Sequence, residues 1–125
     1  MTAARIETMT CAENAGWAGD VRAWANMETL GIHDAACRVA ARRGNAEAVR
    51  AAARAALEVD RCHEPAYRAL IWAHACRGER SAVDYWFRQC RRNLRSELDL
   101  HPDPLTIGLH TRAMNRDDAL ACPLS

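Results

Sequence analysis

Between residues 64 and 98, apolar positions fall first at Tyr67, Leu70, Ile71 and Ala75, then at Val83, Phe87, Cys90 and Leu94. Both sets keep the three-and-four spacing of one face of an α-helix. Gly78 stands between them, and glycine enters the left-handed region without a Cβ penalty, so it predicts a helix C-cap. The stretch reads as a helix over 64–77, a tight turn, and a second helix over 80–98 folded back on the first.

The hairpin recurs. Ala41-Arg42-Arg43-Gly44-Asn45-Ala46-Glu47-Ala48-Val49 lies over Ala75-Cys76-Arg77-Gly78-Glu79-Arg80-Ser81-Ala82-Val83, with five of nine positions identical. Gly44 and Gly78 are 34 residues apart, which is the tetratricopeptide period. In that register His33 matches Tyr67, Ala36 matches Leu70, and Ala53 matches Phe87. Gly44 and Gly78 are therefore the two structural turns of an all-α chain built from antiparallel helix-hairpin repeats.

In chain order, residues 1–16 show no clean period and are expected to form an N-terminal extension. From Trp17 to Arg43 the pattern is helical. Trp17, Val21, Trp24 and Met27 or Glu28 run along one side, followed by Leu30, His33, Ala36, Cys37, Ala40 and Ala41. Gly31 interrupts the run at a cost of about 1 kcal/mol against alanine, leaving open a bend or two successive helices. Asn45 is a candidate N-cap for a helix over 46–59, whose inner face is Val49, Ala52, Ala53 and Ala56. Pro65 suits the first turn of the next helix, and Asp103-Pro104 gives an N-cap with proline at the first helical position. The closing helix, about 104–114, is expected to anchor through Leu105, Ile107 and Leu109. Residues 17–114 form the helical domain, and 115–125 a flexible tail.

Composition sharpens this. Alanine fills 26 of 125 positions, all 17 basic residues are arginine, and the formal net charge is +1. Alanine richness favours helix. The near-neutral charge offers no global attraction to nucleic acid or an anionic membrane, so the chain alone is not expected to bind DNA tightly. No apolar run approaches the length of a membrane span, and the first 25 residues lack a signal-peptide core. A soluble, cytoplasmic protein with reduced thiols is expected, since six scattered cysteines make no disulfide framework in such a setting.

His63-Glu64-Pro65-Ala66-Tyr67-Arg68-Ala69-Leu70-Ile71, then Arg77-Gly78 with Ala82-Val83, then Cys90-Arg91-Arg92-Asn93-Leu94-Arg95-Ser96-Glu97-Leu98 and Pro102-Asp103-Pro104, together resemble the bacterial transcriptional activator domain. That domain is the tetratricopeptide-like part of the antibiotic regulatory proteins, where it follows a winged-helix DNA-binding domain. The likeness is close over 63–110 and looser over 17–60. Two departures stand out: Asp99 where such domains usually have glycine, and Gly108 where alanine is usual. Only 16 residues precede Trp17, too few for a winged helix. The resemblance implies the effector part of a regulator without its DNA reader, whether truncated, stand-alone or excised.

Chemistry is sparse. Cys62-His63 and His74-x-Cys76 hold zinc-type ligands, but two residues on a helix point about 200° apart and cannot share one metal. No metal, cofactor or catalytic residue is therefore assigned. Cys37, Cys76 and Cys90 are expected as buried small hydrophobes, and His74 as a hydrogen-bonded ring at an aromatic position of the repeat. There is no nucleophile elbow, phosphate loop or framed carboxylate pair, so an enzyme is not indicated.

Two surfaces are candidate interaction sites. Arg88, Arg91, Arg92 and Arg95 form an i, i+3, i+4, i+7 stripe that suits an acidic partner, DNA phosphate or a regulator's own DNA-binding domain, or else a solvated face paired with Asp84 and Glu97. Trp17, Val21 and Trp24 mark an apolar strip suited to self-association, or else to packing within the bundle. The function expected is a protein-interaction or oligomerisation domain of a bacterial transcriptional activator. Its partner is a second copy, a DNA-binding domain or the transcription machinery. The alternatives are a peptide-binding adaptor, or a small-ligand sensor whose pocket Tyr67 and His74 line.

Overall fold

The computed structural model describes residues 12–115, with side chains from residue 19 onward. Five α-helices follow one another there: α1 Ala12–Arg42, α2 Ala46–Val59, α3 Glu64–Cys76, α4 Arg80–Leu98 and α5 Pro104–Met114. No strand occurs among the described residues. Each helix packs on the next, and α3 contacts α2, α4 and α5. The expected pairs are present as α1 with α2 and α3 with α4, so the fold is all-α with a helical-hairpin, tetratricopeptide-like architecture. The Trp17 side chain, residues 1–11 of the expected extension and residues 116–125 of the expected tail lie outside the described residues.

The glycines act as turns. Gly44 has φ 67° and Gly78 φ 70°, and both helix ends close the same way. The Gly44 N–H donates to the Ala41 carbonyl at 3.0 Å and the Asn45 N–H to that of Ala40 at 2.9 Å; Gly78 and Glu79 repeat this with Ala75 and His74, both at 3.0 Å. This paired closure is the Schellman arrangement, which needs a left-handed residue. Asn45 then caps α2, its side chain accepting from the Ala48 N–H at 3.1 Å. Asp99 closes α4 in the same left-handed region at φ 53°, which aspartate tolerates better than most residues. The departure from glycine thus leaves the turn intact.

Helix α1 runs unbroken through Gly31. A Cβ built there would meet nothing within 4 Å, so no close approach demands the glycine. Its propensity cost is carried by helix on both sides and by the packing of Leu30, Cys37, Ala40 and Ala41 on the core. Helix α2 brings Val49, Ala53 and Ala56, all fully buried, against this face. These small side chains let the two axes come close.

Helix α3 is the spine. Ala66, Tyr67, Ala69, Leu70, Ile71, Trp72 and Ala73 are all buried, because neighbours cover it on three sides. Tyr67 spends its hydroxyl internally, donating to the Arg61 carbonyl and accepting from Asn93 Nδ2, both at 2.7 Å. Burial pushes its pKa up. Ile71 joins Val83, Phe87, Leu109 and Ala113 in a second cluster beneath α5.

Three expectations are corrected. Leu105 and Ile107 do not anchor α5: Leu105 is 70% exposed and Ile107 is also exposed, while Thr106, Leu109 and Ala113 are buried. Polar contacts set the rotation of this helix. Glu64 accepts from the Asp103 N–H at 2.5 Å and from Thr106 Oγ1 at 2.6 Å, and Arg68 donates to the same hydroxyl at 3.0 Å. Ala36 is exposed although its counterpart Leu70 is buried, since among the described residues no helix packs on that side of α1. Cys76 is exposed at the end of α3, where the chain leaves the core for the Gly78 turn.

Candidate interaction surfaces

The first surface is the outer side of α1. Residues 20–28 are exposed without exception, and partial burial follows at Thr29 and Leu30. Trp24 is 64% and Met27 71% exposed, and Val21 is exposed with them. At 100° per residue, the buried side of α1 centres on Cys37 and Leu30. Val21, Trp24, Ile32 and Val39 fall on the opposite side, and Ile32 is 69% exposed. Val21, Ala25, Glu28, Ile32, Ala35 and Val39 are spaced four, three, four, three and four residues apart, the alternation of a coiled-coil seam. Sequence reasoning found Val21 and Trp24 but missed Ile32 and Val39. Their four-and-three spacing was the available signal, hidden because the inner residues of the same stretch follow that rhythm too.

The second surface is the arginine stripe of α4. Arg88, Arg91, Arg92 and Arg95 are all exposed, and they line one side of an open trough of about 430 Å³. Leu100 and His101 form the other side, brought there by the left-handed turn at Asp99. Arg88 Nε lies 2.8 Å from Asp84, and Arg95 Nε lies 3.4 Å from Asp99. Arg92 donates to Gln89 at 3.1 Å, and the Arg91 guanidinium sits 5.7 Å from the centre of the Phe87 ring. The other ring packed on Phe87 is that of His110, stacked on it across the α4–α5 contact with centres 3.9 Å apart. The expected pairing with Asp84 is made, whereas Glu97 pairs with Arg61 at 3.2 Å. The two surfaces are separate, since α1 and α4 share no contact.

The histidines and cysteines are engaged singly. His63 meets the Asp34 carboxylate at 2.9 Å and 3.0 Å, tying α1 to the link before α3. His74 Nδ1 lies 2.7 Å from Glu79, which holds that carboxyl below its usual range. Cys62 Sγ donates to the Asn93 carbonyl at 3.5 Å. Burial, reinforced by the negative charge of Glu64, pushes the Cys90 thiol up to about 12. Among the described residues, no three histidine, cysteine or acidic side chains are grouped to hold a metal ion. No described helix is long and apolar enough to cross a membrane.

Trp72 is buried and Trp86 partly so, the latter 6.4 Å from Tyr67 ring to ring. Of the tryptophans with described side chains, only Trp24 faces solvent. Comparison with protein-family models matches residues 7–113 to one described as the bacterial transcriptional activator domain. No curated protein and no solved structure matches.

Proposed function

Because the chain belongs to the bacterial transcriptional activator domain family, a regulatory rather than catalytic family, we propose that it acts by self-association through the outer face of α1. The observation that carries this reading is the second apolar face of that helix. A helix at the edge of a repeat array ordinarily turns a polar side to water. Here Val21, Trp24, Ile32 and Val39 occupy that side. Exposed apolar ridges of this kind mark interaction sites.

A second copy suits the ridge because its pattern is nearly palindromic. Pairing two α1 helices antiparallel about residue 30 sets Val21 against Val39, Ala25 against Ala35, and Glu28 against Ile32. The charges agree with that direction. Asp20 and Arg38 lie on one flank of the seam, with Arg42 close by, so Asp20 of one copy falls level with the stretch between Arg38 and Arg42 of the other. A parallel pair would instead set Glu28 against Glu28. The strip marked by Trp17, Val21 and Trp24 extends on this reading as far as Val39.

Light scattering on the eluting protein at tens of micromolar tests the reading. The wild type is expected at twice the chain mass, and a Trp24→Glu, Ile32→Glu variant at the chain mass with unchanged helicity. A monomeric wild type refutes it.

A further inference from the structure

We propose that the trough on α4 is a binding site for a short acidic peptide segment that carries an apolar side chain. This goes beyond self-association, because the trough lies on a helix that α1 does not touch. Four guanidinium groups fall within eight residues of α4, a span of about 10 Å. An extended peptide covers that distance with about three residues. Arginine presents a planar fork that takes a carboxylate through two parallel hydrogen bonds.

The four arginines are not equivalent. Asp84 and Asp99 lie against Arg88 and Arg95, at the two ends of the stripe. The middle pair is held differently: Arg91 over the Phe87 ring and Arg92 by the neutral Gln89 side chain. Those neighbours restrain the guanidinium groups without cancelling their charge. The positive field is strongest at the centre of the trough and closed by a carboxylate at each end. Across from it, Leu100 is 54% exposed and offers apolar contact beside the cations.

That combination selects its ligand. A DNA duplex repeats its charge every ~3.4 Å along each strand and gains affinity by engaging many phosphates. Here the row of cations stops at the carboxylates of Asp84 and Asp99, which pair with Arg88 and Arg95. The chain as a whole carries a formal charge of only +1. A short peptide can place its carboxylates on Arg91 and Arg92 and a leucine-like side chain on Leu100 without meeting either acid.

Fluorescence anisotropy with the full chain tests this. The probe is a labelled peptide of about twelve residues, rich in aspartate and glutamate and holding two leucines. It is compared with the same peptide carrying serine for leucine, and with a duplex of about 20 base pairs. Saturable binding is expected with Kd on the order of tens to hundreds of micromolar. Arg91→Glu with Arg92→Glu should weaken it at least tenfold, and Arg43→Glu with Arg80→Glu, the same charge change at the two glycine turns, less than twofold. The serine peptide should bind several-fold more weakly, and circular dichroism should show both variants folded. Absence of saturation, equal loss in the two variants, or equal binding of the serine peptide would overturn the proposal. So would a duplex that binds more tightly than the peptide and loses affinity through Arg91 and Arg92, because the site would then be one for phosphate.

Discussion

Replacing Thr106 by valine removes one hydroxyl and nearly nothing else in volume, yet it should be among the costlier single changes in this domain. The residue is fully buried, and its hydroxyl donates to Glu64 at 2.6 Å while accepting from Arg68 at 3.0 Å. Hydrogen bonds to charged groups contribute about 1.5–3 kcal/mol each, so two set an upper bound near 6 kcal/mol. Much of that is recovered. The Glu64 and Arg68 side chains are each 18% exposed and already 4.0 Å apart, so water and a closer ion pair can replace part of what is lost. A net cost of about 2 kcal/mol is expected, or a fall in Tm of roughly 6–12 °C for a domain of this size. Thermal and urea denaturation followed by circular dichroism measure it, with Thr106→Ser as the control that restores the hydroxyl. Leu105→Ser, one residue away on the exposed side, should change little. If Thr106→Val melts within a degree of wild type, the polar cluster does not set the seat of α5. Apolar contact of Leu109 and Ala113 would then suffice.

Gly78→Val places a β-branched residue at φ 70° and should cost about 1–2 kcal/mol; since a Cβ there meets nothing within 4 Å, an unchanged Tm would remove the backbone argument itself. Asp99→Gly frees the equivalent strain at the end of α4 and gives up only an exposed ion pair, so Tm should not fall; a clear drop would show that the Arg95 contact matters more than backbone conformation. Thiol alkylation at pH 8.5, mapped by mass spectrometry, should modify exposed Cys76 and spare Cys90, whose pKa stands near 12; rapid labelling of Cys90 in the folded protein would contradict its burial. We also expect no tight binding of duplex DNA by the isolated chain at physiological salt, and nanomolar, sequence-dependent retention in a gel shift would refute that.

What could be read in advance was what local chemistry decides. Gly44 and Gly78 end helices because only glycine enters that backbone region freely, and Asn45 and Asp103-Pro104 start them by supplying or not needing particular hydrogen bonds. Those rules act within a few residues, so the 34-residue period and the helix pairs were legible. The rotation of α5 was not. Leu105 and Ile107 look like anchors by type, but Glu64 and Arg68, some 40 positions earlier, draw Thr106 inward instead. Continuity through Gly31 was likewise a tertiary outcome, decided by packing on α2. The arginine stripe was visible as a helical spacing, whereas its opposite wall of Leu100 and His101 depends on the direction the chain takes after Asp99. Ile32 and Val39 were overlooked because one helix carries two interleaved rhythms and only the inward one was followed.

The long first helix has a consequence for how tightly two copies can hold each other. At 1.5 Å per residue, its 31 residues reach about 46 Å, against about 21 Å for the 14 of α2. Residues 20–28 of that length are all exposed, so among the described residues this stretch draws little support from packing and leans on intrinsic propensity, which is marginal for so short a segment. Pairing must freeze residues that would otherwise fray, and the entropy so lost is subtracted from whatever the seam gains. Assembly and local ordering become a single event, giving an association weaker than its apolar area suggests. Substitutions that stiffen residues 20–28 would then strengthen dimerisation without touching the partner.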